Sequence, residues 1–521
     1  MNWTPVLDAD QLRENTPKVI RHEGRAIVLF QRGSELFAYD QKCPHQGYPL
    51  SLGQVDGECR LTCFWHQWKF DLRTGRNIWS GDHLPIYPTR IEHGKVYLDF
   101  TPKDKTLLQK ELLADLDEAM NDRDFERLAR ILVKWQEAKL DSREPLRWAI
   151  ISRQDRFEYG MTHAYAAAEA WWSFSEEPDL APADRITAQC EALDIIAFDT
   201  LRQPRFPFKS EPAPYDLDSL KLALANEHEA NALGQIDAAL QAGITVTELL
   251  AHLVEVALSH YASFGHALIY LLKIECLVSM LGPAVTRPLL ANWVRHWVYA
   301  TKEDRIPDFQ SYGPLVAQLK QQGFGSNPEV PRPPQFPSIK ATLAATVELA
   351  QNHTPKALWQ SLLGQAAEQL LCFDARYILA NANPVQDNVT WLDFTHALTF
   401  AEAVYHFGQK DPQIWSAGLL QLACFIGRNR PYLTSRAQPQ AMTESQIRQK
   451  ILDHGFEPPI FPAHYIKTFR AIRHLQTLAE PAQVVLDEAL WCFLQASFPV
   501  KKGARAVLQA IQLLGKGEKQ K

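Results

Sequence analysis

"CPHQGYPLSLGQVDGECRLTCFWHQWKFD" occupies residues 43–71 and decides the reading of the N-terminal region. It holds Cys43-Pro44-His45, a loop of seventeen residues, then Cys63-Phe64-Trp65-His66. Structural zinc sites usually pair like ligands, as C-x2-4-C and H-x3-5-H. Here each half supplies one thiol and one imidazole. That mixture suits a centre with two unlike irons, one held by thiolates and one by histidines. Gly47, Gly53 and Gly57 give the intervening loop freedom to turn tightly.

The flanks read as a small β domain. "RAIVLFQ" and "LFAYD" are short β-rich runs separated by "RGSE", and "ECRLTCF", "WKFDL" and "KVYLDF" follow, with turns at "TG" and "HG". Trp65, Trp68 and Phe70 are expected to shield the centre.

These residues resemble the Rieske iron–sulfur domain, whose signature is C-x-H, a loop, and C-x-x-H. "CPHQGYPLSLGQVDGE" is similar to its first cluster loop, "CFWHQWKFDLRTG" to its second and "YPTRIEHGKVYLDF" to its closing hairpin. The resemblance covers roughly residues 3–101. It implies a [2Fe–2S] cluster with Cys43 and Cys63 on the inner iron and His45 and His66 on the outer one. Two departures stand out. Gln67 follows His66 where the family usually has Gly. The extra cysteines that bridge the cluster loops of high-potential members are missing: position 46 is Gln, position 48 is Tyr, and Cys59 has no partner by that pattern. The resemblance therefore implies the ferredoxin or oxygenase type, toward the low end of the roughly −150 to +300 mV Rieske range.

After "TPKD" the sequence changes character. "LLQKELLADLDEAM", "FERLARILVKWQEAKL" and "SLKLALANEHEANALGQIDAALQ" carry apolar residues at helical spacing. The expected architecture is multidomain: a small all-β Rieske domain over 1–103 and a large all-α helical domain over 104–521. Three Pro-rich breaks, "RQPRFPFKSEPAPYD", "NPEVPRPPQFPS" and "FEPPIFPAH", divide the helices into about 105–202, 215–325 and 338–521.

"THAYAAAEA" from Thr162 and "THALTFAEA" from Thr395 agree at six of nine positions, and "GHALIYLL" around His266 is a partial third copy. Such recurrence suggests an internal repeat. It makes His163, His266 and His396 the candidate catalytic residues, with a possible second metal. Single histidines in apolar helices are more often packing residues satisfied by backbone or carboxylate. His252, Glu255 and His266 are spaced to share one helix face, and Glu402 and His406 are i, i+4 neighbours. The Glu-x-x-His pair of di-iron bundles is absent at these places. The D-x-x-H-x4-H run of ring-hydroxylating oxygenases is also missing: Asp393 and His396 are followed by Phe400 and Ala401, with no histidine before His406. "HALIYLL" and "THALTFAEAV" are similar to helical proteins of the questin oxidase type, which implies oxidative cleavage of polyketide quinones.

The 521 residues carry a net charge of −6 without long runs of one sign, which disfavours nucleic acid and anionic membranes as partners. "HALIYLLKIECLVSML" is too short to be expected to span a bilayer and contains Lys273 and Glu275. "MNWTPVLDADQLREN" lacks the basic start and apolar core of a signal peptide, and the eight cysteines are too sparse for a disulfide scaffold. A cytoplasmic location is expected. No G-x-G-x-x-G follows a strand, so a separate reductase or ferredoxin is expected to supply electrons, with a small molecule as possible substrate. The expected function is a Rieske iron–sulfur oxidoreductase passing electrons from cluster to helical region. The alternative is an electron carrier whose helices form a docking scaffold.

Overall fold

The computed structural model describes residues 2–332, 338–479, 482–498 and 503–514. The centre of the second Pro-rich break, residues 333–337, lies outside the described residues. The chain divides into two compact units, Met1–Pro145 and Leu146–Lys521.

The first unit contains ten short strands in three antiparallel sheets. β1 (Trp3–Asp8), β10 (Lys95–Asp99) and β9 (Thr89–Glu92) form one sheet in that order. β2 (Lys18–His22), β3 (Arg25–Arg32), β4 (Glu35–Asp40) and β8 (Ile86–Tyr87) form the second. β5 (Gln54–Val55), β6 (Arg60–Thr62) and β7 (Lys69–Asp71) form the third. The β9–β10 hairpin turns through His93 and Gly94, both at positive φ, which matches the right-handed twist of its strands.

β3 organises this unit because its side chains alternate between two cores. Ile27 and Leu29 pack with Leu12, Ala38, Val96 and Leu98. Val28 and Phe30 point the other way and pack with Phe37, Tyr39, Leu61 and Phe70, a core that also contains Cys43 and Cys63. The cysteines of the motif are thus held by the same apolar cluster that closes the domain.

The strands end at Asp99, close to the expected boundary at 103, but the compact unit continues through two helices. α1 (Lys105–Asp122) starts at Asp104, whose carboxylate accepts from the N–H groups of Thr106 and Leu107. α2 (Phe125–Glu137) is capped by Asp124 in the same way. The two are joined by Arg127, which is buried and donates to Asp115 (3.3 Å) and Glu118 (3.0 Å). They are anchored to the β structure by Asp82. Its carboxylate is 1% exposed and accepts from Arg130 (2.7 Å) and Lys134 (3.1 Å).

The second unit is helical, with no regular strand among its described residues. The first Pro-rich break separates helices as expected, since none lies between Thr200 and Leu217. The third does not extend as far as its prolines imply: a helix begins at Ile460 and takes Pro462 into its first turn, where a missing N–H costs little. Four helices form a closed ring. His163–Ser175 packs on His266–Leu281, which packs on Trp391–Lys410, which packs on Ile460–Leu478, which returns to the first. Alanine makes the close approach possible: Ala164, Ala166, Ala167, Ala168 and Ala170 are all fully buried in one helix. The segment Ser263–Leu281 is, against expectation, long and apolar enough to cross a bilayer by length and composition, but 67% of it is buried inside this unit.

The Asp82 anchor predicts a stability effect. Asp82→Ala leaves two cations without their shared acceptor and should destabilise the first unit by about 2 kcal/mol. Urea unfolding followed by tryptophan fluorescence measures it, and an unchanged midpoint would contradict the anchor.

Candidate functional sites

The first site lies on two loops of the same construction. Cys43 N–H donates to Tyr48 O (2.9 Å) and Gly47 N–H returns to Cys43 O (2.8 Å). Cys63 N–H donates to Trp68 O (2.8 Å) and Gln67 N–H returns to Cys63 O (2.9 Å). Each loop therefore needs a left-handed residue four places after its cysteine. Gly47 supplies it at φ 77° and Gln67 at φ 62°. Gln67 occupies the conformation that the family's usual glycine would adopt freely, and its side-chain amide donates to Phe64 O (3.1 Å).

The loops bring Cys43, His45, Cys63 and His66 together. Cys43 and Cys63 are 4% and 1% exposed, the inner pair. Burial pushes the Cys43 thiol up to about 11, with Cys63 beside it adding to the effect. The rings of His45 and His66 stand 4.5 Å apart, edge to face, on the outer side. His45 stacks on Trp68 at 4.4 Å, and its Nδ1 is buried with no hydrogen-bond partner. A buried, unpaired ring nitrogen is costly unless a metal takes its lone pair. Two enclosed thiols and two outward imidazoles thus fit a cluster with unlike irons. Burial, then His66 and Arg130, hold the pKa of His45 below its ordinary value, while Asp124 and Glu126 at the start of α2 oppose this. Trp68 and Phe70 shield the site as expected, but Trp65 does not: it is 55% exposed and stacks on the exposed His66 at 5.0 Å.

The second site lies in the ring of helices. His163, His266 and His396 converge there, joined by His464, which the sequence reading missed. His266 Nε2 is 3.1 Å from His163 Nε2, and His464 Nε2 is 3.1 Å from His396 Nε2. The ligand atoms of His163, His396 and His464 all lie within 4.8 Å of one another. The His266 and His396 rings are 4.5 Å apart. Two nitrogens bound at right angles, each about 2.1 Å from one ion, would be about 3.0 Å apart.

Ring orientation favours the same use. His266 Nδ1 is bonded to Ser263 O, and His464 Nδ1 to Ile460 O at 2.7 Å. A carbonyl only accepts, so each Nδ1 carries the proton and each Nε2 turns a lone pair inward. Burial, followed by Lys467 and the other rings, holds the pKa of His163 well below the usual range, and burial acts likewise on His396 and His464. Burial brings His266 to about 4.

Further along the same helices lies a buried ionic layer. Lys273 donates to Glu169 (2.8 Å), and Glu402 pairs with His474 (2.9 Å), which is near the surface. Burial opposes the charge on Lys273, but Glu169 and Glu402 outweigh it and raise its pKa. Lys467 is 4% exposed. Burial, then Lys273, depresses it well below the ordinary lysine value.

Other expected groupings do not form. His252 and Glu255 lie on the helix Val246–Ala257, which ends before the His266 helix begins, and Glu255 pairs with Lys221. Glu402 and His406 face different partners, since His406 binds Glu275 (2.6 Å). Asp393 caps its own helix through Thr390 and pairs with Arg428. His464 was hidden because "FEPPIFPAH" reads as a break. The available signal was Ala463-His464-Tyr465, a fourth histidine opening an apolar helical run.

Comparison with known proteins covers the first site. The Rieske [2Fe-2S] domain family matches residues 2–88. The biphenyl dioxygenase ferredoxin subunit of Pseudomonas sp. is 30% identical over 104 residues, 19% of this chain and 94% of that protein. The anthranilate 1,2-dioxygenase ferredoxin subunit of Burkholderia cepacia is 34% identical over 96 residues, 18% of this chain and 88% of that protein. The 4beta-methylsterol monooxygenase of Methylococcus capsulatus is 33% identical over 110 residues, but the match spans only 30% of its length.

Two outcomes follow from these geometries. Gln67→Gly should stabilise the first unit by about 1 kcal/mol by relieving a left-handed side chain, with the cluster's EPR signal retained; a lower melting temperature would contradict this. In metal-free protein the depressed histidines bind fewer protons folded than unfolded. The stability they permit is therefore full above about pH 6.5 and lost as pH falls toward the folded values. Chemical denaturation of the helical unit across that window, with His266→Gln as comparison, checks the sign.

Proposed function

Because the chain belongs to the Rieske [2Fe–2S] family through its N-terminal unit, we propose that it is an oxidoreductase in which electrons pass from the cluster to a metal in the helical unit, where a small molecule is oxidised. Cys43 and Cys63 hold the inner iron, and His45 and His66 the outer one. The bound cluster supplies one-electron transfer. Trp68 backs His45, while exposed His66 with Trp65 stacked on it is the side from which an electron leaves. A separate reductase or ferredoxin delivers the electron.

The observation that carries this reading is the convergence of His163, His266, His396 and His464, with Nε2 pairs at 3.1 Å in a buried helix ring. A docking scaffold has no need of four converging imidazoles, two of them, His266 and His464, buried and two half-buried. Neutral imidazoles suit iron, and the Ser263 and Ile460 carbonyls fix the tautomer that ligation needs. Lys273 offsets the charge of Glu169, and Glu402 is paired with His474 in the adjoining layer. The similarity of "HALIYLL" and "THALTFAEAV" to questin oxidase-type proteins supports oxidative chemistry, since these phrases carry His266 and His396. The carrier reading draws on a different fact: the Rieske unit alone matches nearly whole ferredoxin subunits.

The two readings separate in variants. Single alanine changes at His163, His266, His396 or His464 should abolish oxidation of substrate while the cluster is still reduced normally, as read by its EPR signal. Full turnover in all four would leave only the carrier. With no disulfide between the cluster loops, the cluster potential should lie toward the bottom of the roughly −150 to +300 mV range. A redox titration giving a midpoint near its top would contradict this.

A further inference from the structure

The turn that delivers His266 is built differently from the other three helix starts. Ser263, Phe264 and Gly265 have φ of 48°, 48° and 74°, three successive residues in the left-handed region. That region is unfavourable for a residue with a Cβ, so two of the three need external support. Gly265 is required for space as well: a Cβ there would lie 2.6 Å from the ring of Phe400. The shape of the turn sets the ring of His266, because Ser263 O accepts from its Nδ1.

The support comes from the segment after the helix Thr286–Tyr299. Ala262 and Lys302 form an antiparallel bridge. Ser263 N–H donates to Thr301 O (2.8 Å), and Glu303 N–H donates to Tyr261 O (2.8 Å). The Glu303 carboxylate accepts from Phe264 N–H at 3.3 Å, at the middle of the left-handed run. Glu303 is 2% exposed, and no Lys, Arg or His pairs with it among the described residues. Across the turn, the Arg428 guanidinium lies 4.8 Å from the centre of the Phe264 ring and is paired with Asp393 at 3.0 Å. A buried carboxylate without a cation is expensive. Here its visible use is to bind the backbone of a strained turn.

We propose that Glu303 is a positioning residue that holds the Ser263–Gly265 turn and, through it, keeps His266 in register with His163, His396 and His464. This rests on the reading of those histidines as a metal site.

The ionisation of Glu303 gives the test its sharpest readout. Burial raises its carboxyl to about 7; the N–H groups of its own residue, Phe264 and Ser263 oppose this, and Asp304 adds to it. The groups around it are Asp304 and Lys302 on its own segment, Tyr261 and Cys424, and Arg428 with Asp393. Tyr261 and Cys424 are held well above neutrality by burial, Arg428 is ion-paired, and Asp304 is bound by His260 at 2.8 Å. The anion accepts hydrogen bonds more strongly than the acid, so the turn tightens as pH rises through about 7.

Equilibrium dialysis of the full chain, cluster intact, against Co(II) measures the effect by metal analysis from about pH 5.5 to about pH 8.5. Cobalt bound by wild type but not by H266A defines the site. Wild-type affinity should rise about fivefold through pH 7. E303A should bind about ten- to a hundredfold more weakly. E303Q keeps an acceptor for Phe264 N–H and should stay within about threefold of wild type at low pH, without the step. The inference is overturned if E303A binds like wild type, or if E303Q retains the step near pH 7. Should E303A fail to fold, the E303Q profile alone decides. Wild type binding no more cobalt than H266A overturns the metal site itself, and this inference with it.

Discussion

The helical unit depends on how four imidazoles are satisfied inside a ring of helices. Two ring nitrogens 3.1 Å apart either share a proton or face one ion. With Nδ1 of His266 and His464 committed to backbone carbonyls, their Nε2 atoms can only accept or ligate. The first option makes His163 and His396 proton donors; the second makes ligands of His163, His396 and His464, whose ligand atoms lie within 4.8 Å of one another. Burial, the largest cause, depresses the pKa of each ring and so disfavours its charged form. The surrounding architecture follows from this constraint: alanine-rich helices allow close approach, and Lys273 balances the buried carboxylate of Glu169.

The iron–sulfur site answers the same problem with local chain geometry. Two loops of equal hydrogen-bond pattern present one thiol inward and one imidazole outward each. A single left-handed residue closes each loop, and β3 buries the cysteines in its core. The rest of the first unit asks little of the cluster. Its appended helices are fastened by polar contacts to Asp82 and reach the neighbourhood of His45.

What the sequence revealed depended on how local each feature is. The convergence of Cys43, His45, Cys63 and His66 was legible because two short motifs carry all four residues. The β-to-helix change near residue 103 was legible from periodicity. The inclusion of α1 and α2 in the first unit was not, because Arg130 and Lys134 reach Asp82 from 48 and 52 residues away. His163, His266 and His396 stood out through a repeated phrase, yet nothing in spacing could bring helices more than a hundred residues apart to one point. His464 was masked by Pro459 and Pro462, which read as a break although the second sits harmlessly in a first helical turn. Glu303 carried no signal at all, since its contact is with a backbone N–H 39 residues earlier.

The most direct test of the account is a count of iron in protein purified anaerobically after iron-replete expression, combined with EPR of the reduced cluster and of a nitric oxide complex. The account predicts iron in excess of the two atoms per chain that a [2Fe–2S] cluster contains. It also predicts a second paramagnetic centre that disappears in H464A while the Rieske signal persists. Two irons per chain, with a single Rieske signal unchanged in H464A, would contradict it.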